Sequence, residues 1–278
     1  MHYVLLAALC SVLVSVLLKL AKRSGVDVGQ AVAWNYVATL TLTLLVLQPA
    51  AAPLRGADAP WFTLAALGVL LPTIFLALAA SVRHAGIVRS DAAQRLSLLI
   101  PLLAAFTLFG QTPNGVKLIG CALGLLALAC MVWRGSAGGD KAHWGWPLAV
   151  FAGFGVIDVL FKRVAAAGLP LGSSLLGVFA LALAVAFIIQ FMRKSRFTLR
   201  NALGGLLLGL CNFANILFYL RAHRALPEQP ALVFASMNLG VVALGALVGV
   251  TLFRERLSRT NIIGLLLALV AIALLAWG

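Results

Sequence analysis

Ionisable and amide side chains inside apolar stretches are the groups with which this chain could do chemistry. Asp158, in FGVIDVLFKR, is followed four residues later by Lys162, a spacing that puts both on one face of a helix. Two readings stand side by side: an ion pair within the helix that neutralises both groups near an interface, or a carboxylate facing a central cavity and coupling the movement of a substrate or a proton. RSDAAQRLSLLIP repeats the spacing with Asp91 and Arg95 and adds Gln94 and Ser97. A guanidinium so placed either snorkels to the interface or faces a wet cavity. Pro101 closes that stretch and is expected to kink it. GLCNFANILFYLRAH sets Asn212, Asn215 and Tyr219 three and four residues apart, on one stripe of a helix. Such groups bond to neighbouring helices or line a cavity. Asn35 lies between Trp34 and Tyr36, and the two aromatics read equally as belt residues at a membrane interface. LPEQPALVFASMN supplies Glu228, Gln229, Ser236 and Asn238, with Pro227 and Pro230 fitting a helix start. The candidate lining is therefore Asn35, Gln94, Arg95, Ser97, Asn212, Asn215, Tyr219, Ser236 and Asn238, with Asp158 and Lys162 as the coupling candidates.

Other chemistry is not signalled. His2, His84, His143 and His223 lie at or near loops, and no HExxH, phosphate-cradling Gly-rich loop or Ser/His/Asp grouping is present. Catalytic residues, metal ligands and cofactors are not expected, and the chain reads as a protein other than an enzyme. Cys10, Cys121, Cys130 and Cys211 all fall in apolar runs and read as small packing residues. The net charge of +14 suits loops facing an anionic membrane leaflet rather than nucleic acid.

The elements that must position these groups are membrane helices. The chain is 63% hydrophobic and 10% charged, against about 25% charged in a soluble domain. Ten runs are long enough to span: 3–20, 31–47, 61–80, 92–109 and 116–133, then 144–164, 171–192, 202–220, 231–253 and 262–277. Their continuity argues for helices and against a barrel. TLFGQTPNGVKLIG (107–120) and TLFRERLSRTNIIG (251–264) share five of fourteen positions at an offset of 144 residues, and VLLKLAKRSG (16–25) echoes VLFKRVAAAG (159–168) at 143. The chain so divides into a first five-helix repeat (1–134), a linker (135–143) and a second five-helix repeat (144–278). A duplicated unit with an odd number of spans inserts its second copy upside down, the inverted-repeat design of many transporters. Of the 21 Lys and Arg, fifteen fall after odd-numbered spans and six on the other side, which places both termini outside the cytoplasm. Gly245 and Gly249 form a small-xxx-small pair that packs within the subunit or at a homodimer face.

The duplicated stretch resembles the helix-turn-helix that ends each repeat in the EamA-like branch of the drug/metabolite transporter superfamily. The match rests on Phe253-Arg254-Glu255-Arg256-Leu257 with Ile263-Gly264, and on Gly110-Gln111 with Ile119-Gly120. Gln111 and Pro113 depart from the motif's glutamate and leucine. Glu255 reads as structural, paired with the arginines around it. The resemblance implies ten transmembrane helices in two inverted repeats and a bacterial inner-membrane transporter, an exporter in the first instance, of small organic metabolites such as amino acids. It implies a cavity between the repeats lined by the third, fourth, eighth and ninth helices. A flippase-like protein for a lipid carrier, or an accessory membrane subunit, is the alternative.

Overall fold

The structure, a computed structural model, describes residues 2–21, 23–56, 59–107, 115–132, 144–226, 228 and 230–277. Gly110, Gln111, Pro113, Trp133, the linker 135–143, Pro227 and Gln229 lie outside the described residues. All regular structure among the described residues is helical: α1 (His2–Ala21), α2 (Val28–Leu42), α3 (Ala52–Arg55), α4 (Trp61–His84), α5 (Ile87–Leu96), α6 (Leu99–Thr107), α7 (Gly115–Val132), α8 (Gly145–Ala166), α9 (Leu171–Met192), α10 (Leu199–Ala225), α11 (Pro230–Thr251) and α12 (Arg259–Trp277). A π-helical turn, Thr43–Leu47, extends α2. Seven helices among the described residues are long and apolar enough to cross a membrane, which makes this an all-α polytopic membrane protein.

Lipid supplies no hydrophobic drive between apolar helices, so close backbone approach must hold them together. Glycines provide it. A Cβ at Gly205 would lie 2.5 Å from the Ala31 carbonyl oxygen, and one at Gly209 2.5 Å from that of Asn35. These two glycines, one helical turn apart, seat α10 on α2. A Cβ at Gly153 would strike Ile74 of α4, one at Gly155 Ile100 of α6, one at Gly68 Leu181 of α9, and one at Gly120 Leu275 of α12. The main helix partnerships are α7 with α12, α10 with both α1 and α2, α4 with both α8 and α9, α2 with α9, α1 with α11, and α8 with α5 and α6.

Where the sequence predicts one kinked helix over 92–109, two helices form. Pro101 has no N–H for the Ser97 carbonyl. The Ile100 N–H takes that carbonyl instead, at 3.0 Å, and the Ser97 hydroxyl donates to the Gln94 carbonyl at 2.6 Å. The chain therefore tightens at Ser97–Leu98, a turn before the proline. The first piece also starts earlier than expected, at Ile87, so Asp91 and Arg95 lie inside a helix rather than at its mouth. Pro230 opens α11, as the sequence predicts.

The ends of α1, α4, α9 and α11 and the starts of α2, α5, α10 and α12 meet on one face, which carries Lys19, Arg83, Arg193 and Arg254. Contacts across it fix this. Asp27 caps α2 by accepting from the Gln30 N–H at 2.8 Å; its own N–H donates to Asn201 at 2.9 Å, and the Asn201 amide donates to Gln30 at 3.0 Å. Arg89 donates to Asn261 at 2.8 Å, tying α5 to the start of α12. We call this the basic face.

Candidate functional site

A cavity of about 840 Å³ runs into the bundle from the face opposite. Its mouth is formed by Lys162, Ala165 and Leu169 at the end of α8, Leu171 at the start of α9 and Leu220 of α10. It reaches inward to Leu78 of α4 and to Ser11 and Ser15 of α1. Much of the wall is apolar, with Phe75, Phe154, Phe161, Phe179 and Phe234 among the lining side chains. A side chamber of about 220 Å³ adds Ser97, Met237 and Asn238.

Most of the candidates converge here. Gln94, Arg95, Asp158, Lys162, Asn212, Asn215 and Tyr219 line the main cavity, and Ser97 and Asn238 line the side chamber. Asn35 does not reach it. It is fully buried behind the wall, where its side-chain amide oxygen Oδ1 accepts from the Asn212 amide at 3.3 Å. Ser236 is half-buried on α11 and lines neither space. Asn215 combines the two expected roles: its amide donates to the Ala7 carbonyl of α1 at 2.7 Å while its side chain borders the cavity.

Arg95 faces the cavity instead of snorkelling. It donates to the Ser11 hydroxyl at 2.5 Å and to Asn238 at 3.4 Å. Its Nε is buried without a partner among the described residues. An arginine fixed by two neutral oxygens, with donor capacity to spare, can receive an anionic group without first breaking an ion pair. Asp158 and Lys162 do not form the ion pair that their spacing permits: among the described residues the salt bridge within 4 Å joins Lys19 and Glu255. Asp158 is thus a carboxylate open to the same space as Arg95. Opposite charges, amides, a phenol and aromatic walls share one chamber, an arrangement that can hold a small molecule with both charged and apolar parts.

Tyr36 is not a belt residue. Tyr36 is 1% exposed, sits among Phe75 and Phe179, and borders the cavity with its hydroxyl unpartnered among the described residues. Trp34 meets Phe187 edge-on. Their span lies against α9 and α10 rather than lipid. The sequence reading also missed α1. Ser11 and Ser15 carry no signal in an apolar run, since serine is common in packed membrane helices. Asp91 is 2% exposed; one oxygen accepts from Ser15 at 2.6 Å and the other has no partner among the described residues. Gly245 makes room for it, because a Cβ there would lie 2.5 Å from that second oxygen. Gly245 and Gly249 therefore pack inside the subunit. Glu255 pairs with Lys19 of α1 rather than with the arginines beside it.

Fold and cavity together define a polytopic α-helical membrane protein with a largely apolar chamber that carries a cluster of charged and amide groups and opens toward one face. An uncharacterized protein of Haemophilus influenzae (strain ATCC 51907 / DSM 11121 / KW20 / Rd) is 42% identical over 282 residues, covering 98% of this chain and 96% of that protein. The chain belongs to the same family as that protein. No family model matches it. A solved crystal structure, 16% identical, superposes with a TM-score of 0.57 over 99% of this chain and 96% of that one; that likeness shows a shared fold alone.

Proposed function

We propose that the protein is a secondary transporter, an exporter in the first instance, of small organic metabolites such as amino acids, working by alternating access between two inverted five-helix repeats. The observation that carries this reading is the cavity: Arg95, Asp158, Lys162, Asn212, Asn215 and Tyr219, from three helices, converge on one chamber within the bundle. Charged groups are expensive at that depth and are kept there for function.

The helix partnerships support the repeat. If each span of the first half is matched to the fifth span after it, α1 corresponds to α8, α2 to α9, α4 to α10, the α5–α6 pair to α11, and α7 to α12. The contact of α1 with α10 then has its counterpart in α8 with α4, that of α2 with α10 in α9 with α4, and that of α1 with α11 in α8 with α5 and α6. The pairs α7–α12 and α2–α9 lie on the axis. This pattern is what an inverted repeat produces, and it supports the ten-span reading and the resemblance to the EamA-like drug/metabolite transporters. The excess of Lys and Arg on the basic face supports placing that face in the cytoplasm of a bacterium, with the chain in the inner membrane and both termini outside.

The test is uptake and efflux by proteoliposomes against a panel of labelled amino acids and metabolites, with and without an imposed pH gradient. Saturable movement of one soluble compound is expected. The apolar share of the wall favours one second reading, a flippase-like role for an amphipathic lipid carrier. Failure to move any soluble compound, with a tightly co-purifying lipid, would select it.

A further inference from the structure

From the cavity to the basic face the seam between α1 and α5 is a ladder of polar rungs. Ser11, Ser15 and Lys19 are four residues apart and so share one face of α1. The antiparallel α5 presents Arg95, Asp91 and its own first residue, Ile87, at the matching steps. Ser11 meets Arg95 and Ser15 meets Asp91. The third rung is made by a residue from elsewhere: Glu255, after α11, takes Lys19 with Oε1. The same carboxylate caps α5, with Oε1 accepting from the Ile87 N–H at 2.7 Å and Oε2 from the Val88 N–H at 3.2 Å.

The surroundings are shaped to this carboxylate. A Cβ at Gly86 would lie 2.6 Å from Oε2, and one at Gly249 3.0 Å. Gly86 has φ +95° and Arg254 φ +53°, so the backbone on both sides turns sharply to bring the acid in. Lys19 lies 4.7 Å above the centre of the Phe253 ring. The two charged side chains are 17% and 12% exposed. The upper rungs border the cavity, whereas the third lies at the basic face, where the cavity does not reach.

We propose that Lys19 and Glu255 are the latch of a gate: they hold α1, α5 and the α11–α12 connection together on the basic face, and their parting lets the cavity open to that side. The inference rests on the transport reading for its purpose, but its test needs no substrate. The ion pair is reversible and sits on three separately connected segments. The serine rungs, Ser11 with Arg95 and Ser15 with Asp91, are single hydrogen bonds, and the ion pair across the seam is the one at Lys19 and Glu255. The acid also anchors the positive end of α5, so its release frees the start of the helix that carries Asp91 and Arg95.

The test uses full-length protein with its four cysteines replaced and one reporter, Phe154→Cys, on the cavity wall. A membrane-impermeant thiol reagent is applied from each face in vesicles of known orientation, with Lys194→Cys marking the basic face. With the latch intact, the reporter reacts from the opposite face. Lys19→Met and Glu255→Gln should each raise its labelling from the basic face several-fold and lower it from the other. Unchanged labelling in both variants, or equal labelling from both faces with the latch intact, overturns the proposal. If Glu255→Gln fails to fold because it weakens the α5 cap, Lys19→Met decides alone, since it leaves the cap in place. Loss of all substrate movement in proteoliposomes, with this labelling pattern preserved, would overturn the transport reading and leave the latch standing.

Discussion

Asp91 and Asp158 look alike in sequence, each in an apolar run with a cation four residues on. The structure treats them differently. Asp91 is enclosed between α1, α5 and α11, bonded to Ser15 and cradled by Gly245. Asp158 faces an open chamber, with no ion pair to Lys162 within 4 Å. In neither case does the neighbouring cation close the pair within 4 Å. A charge four residues away therefore says little about what a membrane carboxylate does; what the opposing helix offers decides it. For Asp91 that is a hydroxyl and a missing Cβ, and for Asp158 it is space.

Exchanging the roles is the strongest way to break the comparison. Asp158→Asn should reduce transport by roughly tenfold or more, the size expected when one charged contact to a bound substrate is lost, with the melting temperature of the purified protein unchanged. Asp91→Ala should do the reverse. It strands the Ser15 hydroxyl in the packed interior, at a cost of about 1–3 kcal/mol, seen as a lower melting temperature. Gly245→Ala drives a methyl into the Asp91 carboxylate and should cost a similar ~1–3 kcal/mol by overpacking. Combining it with Asp91→Ala should recover part of that loss, since contacting residues couple by about 0.5–3 kcal/mol; strict additivity would show that the glycine does not serve the acid. The smallest effect is expected at Lys162. Lys162→Gln should leave thermal stability where it is and raise KM for substrates carrying a carboxylate, with kcat little altered.

Composition made the helices legible, and three- and four-residue spacing made Asn212, Asn215 and Tyr219 a stripe that does line the cavity. The stretch around Arg95 was also recognisable, because an arginine in an apolar run needs a reason. The partners were not. Ser15 reaches Asp91 across 76 residues and Lys19 reaches Glu255 across 236. No local pattern encodes such pairings. A serine in an apolar helix looks the same whether it packs or bonds. The break at Ser97 was foreshadowed by Pro101, but a proline marks a disturbance of the ladder behind it rather than where the chain will part. Lys162 matches Lys19 in the sequence echo at an offset of 143. One lysine is ion-paired to Glu255 and the other lines a cavity mouth, a difference invisible in their matching sequences.

Gly205 and Gly209 bring the backbone of α10 onto that of α2 with no side chain between them. Surfaces meshed at that range have little freedom to slide. Whatever turns within the membrane, these two helices turn as one piece, although one is encoded early in the chain and the other late. The α2–α10 unit is therefore a composite that crosses the midpoint of the chain, and severing the chain between residues 134 and 144 would leave it incomplete until the two fragments found each other again.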